Sequence, residues 1–332
     1  MNHLAYRTTE LAIKTIAGLT RARLNTHGTE SIPKGPTIFV VNHFTRIETF
    51  LLPYHLHRLT GTPVWALAAP ELFVGKFGRY LEQLGAVSTQ LPDRDRLMVK
   101  TLLTAEACWI VFPEGRMVKN KKIMEALRTE FYRQRIAEMA HRSPEEAQRL
   151  ADLFSLPSVD SISRQPTCIV PVNLTYYPLR ARNNALSRLA GRMVEDLPER
   201  VAEEIMTEGT MLLSGVDIDL RFGEPIEITD CLSCRSIQCD IRSSDPIGFD
   251  DSIPSRKYMR REALKIMERY MTAIYRMTTV NHDHLFASCL KKSPVSRISK
   301  ESLKRRVFLA SQINTDSLNE QFRQGPGSPA HR

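Results

Sequence analysis

Short apolar runs alternate with helical stretches through about the first third of the chain, and this alternation restricts the fold more than any other feature of the sequence. Each run is short enough for a single strand and is bounded by polar, proline or glycine residues. The predicted strands cover residues 37–41, 64–68, 86–88 and 108–112, and the predicted helices cover 46–59, 76–84 and 94–106. The sequence therefore predicts an α/β fold with a mostly parallel central sheet flanked by helices.

The remainder of the chain is richer in helix. A long, charged helical insertion is predicted over 122–165, and its role as a lid, a membrane-contacting hairpin or a decoration stays open. Further strands are predicted at 167–173, 216–222 and 226–228, followed by an amphipathic helix at 255–277. The resulting division is an N-terminal amphipathic helix at 1–24, a main domain at 25–230, a mainly helical C-terminal extension at 231–315 and a disordered tail at 316–332.

The net charge of +9 and the pI near 9.3 favour an anionic partner. Anionic phospholipid and a phosphorylated co-substrate fit this sign, and nucleic acid is disfavoured because no helix-turn-helix, finger or aromatic–basic platform is visible. The N-terminal segment shows no secretory signal, and its apolar stretch at 11–19 is interrupted by Lys14 and too short to span a bilayer. Its apolar side can lie on a membrane surface or pack on its own domain.

The six cysteines do not predict a metal site. Cys231, Cys234 and Cys239 form a C-x2-C-x4-C cluster, and His282 and His284 lie further along the chain in what reads as a polar loop. This spacing matches no zinc pattern, so reduced thiols are the simpler interpretation.

The segment IFVVNHFTRIE places His43 just after a buried strand and Glu48 in the first turn of the next helix. Reactive groups collect where the strands of α/β folds end. A histidine there can take a proton from a hydroxyl, while a carboxylate holds its tautomer and stabilises the imidazolium. Glu48 has a second interpretation, because Thr45 and Glu48 also fit a capping box.

The segment VFPEGRMVKNKK follows a second predicted strand. Gly115 permits a tight turn and the close approach of a ligand, and Arg116 and Lys119 can hold a phosphate. Taken alone this is a solvated basic loop. Coming after the histidine segment in an α/β pattern, it predicts a second part of the same site.

The two segments together resemble the glycerolipid acyltransferases, a family marked by H-x4-D, a glycine-containing second block, F-P-E-G and a later V-P-V block. The second and fourth blocks correspond here to LGAVSTQ around Gly85 and to CIVPV at 168–172, and FGEPI at 222–226 is similar to a further strand–turn segment of the family. The resemblance implies that His43 is the general base oriented by Glu48, that Glu114 and Gly115 shape the acceptor site, and that Arg116 binds the acceptor phosphate.

Three departures from the family pattern concern these roles. Glu48 replaces an aspartate, so its contact with His43 requires a different rotamer or a bridging water. Leu91 or a near neighbour stands where the second block carries an arginine, and Arg94 or Arg96 can substitute only if the loop bends back. Arg116 directly follows Gly115, which shifts the cation of the third block by one position.

The resemblance implies an O-acyltransferase of phospholipid biosynthesis. The donor is acyl-CoA or acyl carrier protein as co-substrate, with no other cofactor, and the acceptor is a lysophospholipid or glycerol phosphate. We expect a peripheral protein on an anionic membrane at its cytoplasmic face, without a transmembrane segment. The alternative from another class is a non-catalytic relative that binds lipid or phosphate, and acyl transfer from a labelled donor distinguishes the two.

Overall fold

The computed structural model describes residues 23–43, 48–113, 121–177, 216–294 and 296–313. Residues 1–22 of the helix predicted at 1–24, and the predicted tail at 316–332, lie outside these ranges. The chain divides into two compact units, Met1–Arg276 and Met277–Arg332. In the described ranges, no helix combines the length and the apolar character needed to cross a bilayer.

The first unit is built on one sheet in the order β1-β7-β6-β2-β5-β3-β4, with β8 paired to β6. Strands β2 to β6 run parallel to one another, while β7 and β8 are antiparallel to β6 and β1 is parallel to β7. The prediction of a mostly parallel sheet is confirmed. The strands are β1 (Arg23–His27), β2 (Thr37–Val41), β3 (Val64–Ala68), β4 (Ala86–Ser88), β5 (Cys108–Val111), β6 (Cys168–Tyr177), β7 (Asp217–Phe222) and β8 (Ile226–Glu227).

Helices cover both faces of this sheet. Phe39 and Val41 of β2 pack in one core with the first helix, and Ile38 and Val40 point to the opposite core. Because successive side chains alternate between faces, a strand buried on both sides is apolar throughout. The helices of the first unit are α1 (Glu48–Thr60), α2 (Gly75–Gln83), α3 (Arg94–Leu103), α4 (Lys121–Arg142), α5 (Pro144–Asp152), α6 (Arg235–Arg242) and α7 (Arg256–Arg276).

The predicted boundary at residue 24 is wrong, because Arg23 and Leu24 belong to β1. This edge strand is mostly exposed and lacks an apolar pattern. It is held instead by its backbone ladder to β7 and by a side-chain hydrogen bond of 2.9 Å, which the Asn25 amide donates to Asp219.

The boundary predicted at 230/231 is also displaced, since the first compact unit continues to Arg276. Helices α6 and α7 pack against α4, and α7 also covers β6. Their apolar sides complete the core on that face of the sheet, with Ile237, Ile266 and Tyr270 buried. An amphipathic pattern predicts such helices but does not tell which element they cover.

The segment predicted as an insertion is part of the core. Helix α4 is buried through Leu127, Phe131 and Ile136 and packs on α3, α5 and α7. Its charged residues are not all in solvent either, because Glu130 and Arg133 are 3% and 7% exposed.

The guanidinium of Arg133 joins three parts of the fold. It pairs with Glu130 at 3.1 Å and donates to the carbonyls of Leu102 and Leu103 at 2.9 and 3.2 Å. These carbonyls end α3 and have no partner within that helix. Glu130 in turn accepts the backbone N–H of Thr167, just before β6. The pair therefore stabilises the end of one helix and the start of a central strand.

The second unit contains α8 (His282–Lys291) and α9 (Lys300–Ile313), which pack against each other. The segment read as a polar loop is thus the start of a helix. His284 forms a capping box with Asn281, in which each side chain accepts a hydrogen bond from the backbone N–H of the other residue. A histidine replaces the usual glutamate or glutamine of this motif, which hides it in the sequence.

Removing the Arg133 guanidinium is expected to destabilise the protein strongly. Arg133→Ala leaves Glu130 charged and buried, which costs about 3–5 kcal/mol of unfolding free energy. Arg149→Ala is the matched control, because Arg149 pairs with Glu146 at 2.7 Å but is 46% exposed, and such pairs contribute about 1 kcal/mol or less. Urea unfolding followed by circular dichroism measures both. Equal losses in the two variants would contradict the bridging role of Arg133.

Candidate active site

The end of β2 is fixed by a buried side chain. The amide of Asn42 donates to the carbonyl of Leu174 at 2.8 Å, and its oxygen accepts the N–H of Leu174 at 2.7 Å. The side chain thus continues the pairing of β2 with β6 after the strand itself has ended. Because Asn42 is only 5% exposed, these bonds are shielded from water. The following residue, His43, leaves the sheet from a fixed point.

His43 contacts Glu48 directly. Its Nδ1 lies 2.7 Å from Oε2 of Glu48, with side-chain exposures of 35% for His43 and 1% for Glu48. No bridging water is needed at this distance, so the longer glutamate side chain reaches the ring by itself. Glu48 is in the first turn of α1, where the helix dipole favours a negative charge. Thr45, its partner in the alternative capping box, lies outside the described residues.

This geometry assigns different tasks to the two ring nitrogens. With Nδ1 donating to Glu48, Nε2 is the nitrogen that can accept a proton. The partial exposure of His43 lets a substrate reach the ring, and the buried carboxylate stabilises the imidazolium that forms. A pair of this kind can perform general base catalysis on a hydroxyl.

Phe112 packs against the proposed base. Its ring centroid lies 4.4 Å from that of His43, with 35° between the planes. The contact follows from topology, because β2 and β5 are parallel neighbours with Val40 opposite Val111. The residues that follow the two strands therefore lie side by side at the carboxyl ends of the parallel strands. Sequence reasoning passed over Asn42 and Phe112, although both stand inside the two motifs that it used.

The F-P-E-G block thus begins beside the histidine. The described range that contains this block ends at Pro113, which is buried, and the next range begins at residue 121. Glu114, Gly115, Arg116 and Lys119, predicted to bind substrate, lie outside the described residues.

Gly85 lies at the amino ends of the parallel strands, opposite the carboxyl ends where His43 lies. It precedes β4, and in a parallel sheet the residues before a strand lie opposite those that follow β2 and β5. Gly85 has a φ of 94° and its carbonyl accepts the N–H of Ala66. A left-handed turn from α2 into β4 requires a glycine here, and the role of Gly85 in binding substrate stays a prediction.

The loop after β4 does bend back, as the arginine substitution requires. Arg94 donates to the carbonyl of Thr89, directly after the strand, and pairs with Asp95 at 2.8 Å. Arg94 lies at the carboxyl ends of the parallel strands, as His43 does. The two residues follow strands three positions apart, which is about 14 Å at the usual strand spacing. Arg96 instead lies 5.4 Å from the ring centroid of Phe249 and 3.8 Å from Asp250. Of the two arginines, only Arg94 forms its hydrogen bond at the carboxyl ends of the strands, where His43 lies.

Residues 23–142, about a third of the chain, match the model of the Acyltransferase family. The segment is acyltransferase-like. It contains both the His43–Glu48 pair and the F-P-E-G block, so the resemblance seen in the sequence is confirmed there. The match indicates acyl transfer as the class of reaction.

No curated protein sequence matches the chain. Among solved structures, the chain is similar to PlsC, the 1-acyl-sn-glycerophosphate acyltransferase of Thermotoga maritima. The two are 14% identical, the similarity covers 83% of this chain and 81% of that chain, and the TM-score is 0.37. This low similarity carries no argument about activity.

No group of three or more histidine, cysteine or acidic side chains converges among the described residues. Burial raises the pKa of the Cys231 thiol, which disfavours the thiolate that a metal would bind.

A buried histidine of α1, His55, is expected to make stability depend on pH. Burial, with a smaller contribution from Arg58, lowers its pKa from 6.5 to about 4, and its Nε2 has no hydrogen-bond partner among the described residues. Between these values the unfolded chain binds a proton that the folded protein does not. The contribution is therefore fully present above the unfolded pKa and is lost as pH falls from 6.5 towards 4, by about 1.4 kcal/mol per pH unit at most.

Urea unfolding of wild type and His55→Gln at pH 7 and pH 5 measures this effect. We expect the wild type to lose more unfolding free energy than the variant between the two pH values. Identical losses would show that His55 does not cause the dependence.

Proposed function

We propose that the protein transfers a fatty acyl group from a thioester, acyl-CoA or acyl carrier protein, to the hydroxyl of a lysophospholipid or glycerol phosphate. One observation carries the proposal, namely the 2.7 Å contact of His43 with the buried Glu48 at a strand end inside the acyltransferase-like segment. Position, geometry and family similarity all support His43 as the general base.

The reaction needs one proton acceptor and no covalent enzyme intermediate. Nε2 of His43 removes the proton from the acceptor hydroxyl as its oxygen attacks the thioester carbonyl. The tetrahedral intermediate collapses and the C–S bond breaks. The departing thiolate then takes the proton from the imidazolium, which restores the neutral histidine. Glu48 holds the tautomer and stabilises the transient positive charge.

Most of the residues that we propose to bind the acceptor are assigned by resemblance to the acyltransferase family. Glu114 and Gly115 shape its site, and Arg116 with Lys119 holds its phosphate. Arg94 is the remaining cation for this role because it lies at the carboxyl edge of the sheet, where His43 also lies. Arg96 is left out, since its guanidinium already contacts Phe249 and Asp250.

The lipid acceptor determines where the protein acts. A lysophospholipid resides in a membrane, so we propose that the enzyme works as a peripheral protein at an anionic membrane, on its cytoplasmic face. The basic charge of the chain supports this location.

Replacing the base is expected to abolish acyl transfer. His43→Ala should lower the acceptor-dependent release of free thiol from acyl-CoA by about 10²–10⁴-fold, the usual contribution of a general base. The assay is run with and without lysophosphatidic acid and with glycerol 3-phosphate. His57→Ala is the control, because His57 lies on α1 with its Nδ1 against the carbonyl of Thr62. Absence of thiol release from wild type with every donor and acceptor would favour the non-catalytic lipid-binding alternative.

The charge of Glu48 is tested by two substitutions. Glu48→Gln retains a hydrogen-bonding side chain and the ability to cap α1 but removes the charge, so we expect kcat to fall by about a hundredfold or more. Glu48→Asp restores the family pattern and is expected to stay active. Full activity of Glu48→Gln in the thiol assay would eliminate the proposed stabilisation of the imidazolium.

A further inference from the structure

The second unit has a strongly basic surface. Between Met277 and Ile313 there are seven lysines and arginines against two acids, Asp283 and Glu301. All seven cations are exposed, and within the described residues none of them forms an ion pair. We call α8, α9 and their connection the basic hairpin. Its cations are Lys291, Lys292, Arg297, Lys300, Lys304, Arg305 and Arg306.

Large apolar side chains stand among these charges. Phe308 is 60% exposed, Leu309 is 48% exposed, and Leu290 near the end of α8 is 51% exposed. The side of α9 that packs inward is marked by the buried Val307. An amphipathic helix of a globular protein turns its phenylalanines and leucines inward. Here two of the largest apolar side chains of α9 are on the outward side.

The charges and the apolar side chains share one surface of α9. Lys304 and Arg305 precede Phe308 and Leu309 by four positions, which is one turn of a helix. Each cation therefore lies beside an exposed apolar side chain. This combination is typical of a helix that lies in a membrane interface, with its apolar side chains below the headgroups and its cations at the phosphates.

We propose that the basic hairpin docks on an anionic phospholipid surface, with Phe308 and Leu309 inserted and Lys304, Arg305 and Arg306 against lipid phosphates. The positive charge without neutralising partners argues for an anionic occupant, and the exposed phenylalanine and leucine argue for an apolar layer beneath it. A bilayer of anionic lipid supplies both. The proposal extends the proposed function by naming the surface through which the protein meets its lipid, but docking does not require catalysis.

Cosedimentation of the full chain with vesicles tests the proposal. We expect wild type to bind vesicles of phosphatidylcholine mixed with phosphatidylglycerol, to bind phosphatidylcholine alone weakly, and to be released by salt. Lys304→Glu/Arg305→Glu/Arg306→Glu is expected to weaken binding by about a hundredfold or more, since each cation near such a surface contributes about fivefold. Phe308→Ser/Leu309→Ser should weaken binding by a similar factor with less change in its salt dependence.

A matched control comes from α7, whose outward side is also basic and carries the 42% exposed Leu264. Arg260→Glu/Arg269→Glu/Arg276→Glu makes the same change of charge on exposed cations, and Leu264→Ser removes an exposed apolar side chain. We expect both control variants to lose no more than about fivefold in binding. Circular dichroism checks that all variants fold. We expect them to fold because every substituted side chain is exposed.

The results separate docking from catalysis. If the proposal holds, the hairpin variants retain acyl transfer to a water-soluble glycerol phosphate and lose binding to vesicles. Wild-type-like vesicle binding by both hairpin variants, or an equal loss in the α7 variants, would overturn it. So would a dimer that dissociates on Phe308→Ser/Leu309→Ser without any loss of vesicle binding, because the apolar side chains would then serve a second copy of the chain.

Discussion

The two hydrogen bonds between Asn42 and the backbone of Leu174 hold the end of β2, and the arrangement of the proposed site follows from them. A strand that ends in a loop is free to fray, but here a buried amide replaces the next rung of the ladder. His43 therefore starts from a fixed backbone position, with Glu48 on one side and Phe112 on the other. The catalytic proposal depends on a histidine whose orientation is determined by its surroundings before any substrate binds.

Much of the sheet is predictable from the sequence because β2, β3 and β5 are largely buried on both faces and, apart from Thr37, consist of apolar residues. The edge strand β1 escapes prediction because polar pairing with β7 holds it, and such pairing leaves no periodic pattern. The charged segment over α4 resembles a solvent-exposed insertion for a related reason. Glu130 and Arg133 satisfy one another and nearby backbone groups inside the core, and a sequence shows charges without their partners.

The site is predictable to a similar extent. His43 and Glu48 follow from a strand end, a helix start and the chemistry of their side chains. For Gly85 the sequence cannot separate two roles, because a glycine required by a left-handed turn and a glycine required by a close ligand look alike in a sequence. Arg94 and Arg96 lie two positions apart, yet only the fold shows that one bonds at the edge of the sheet and the other contacts Phe249.

The position of β6 has a consequence for how the chain folds. The segment that resembles acyltransferases ends at residue 142, while β6 and β7, which complete the sheet beside β2, are supplied by residues 168–177 and 217–222. During synthesis the histidine emerges early, but its strand has an exposed edge until the ribosome has added more than a hundred further residues. Long-range pairing of this kind makes folding slow and leaves an open strand to be protected. The nascent chain therefore acquires its reactive geometry only after β6, which ends at Tyr177, becomes available to pair with β2.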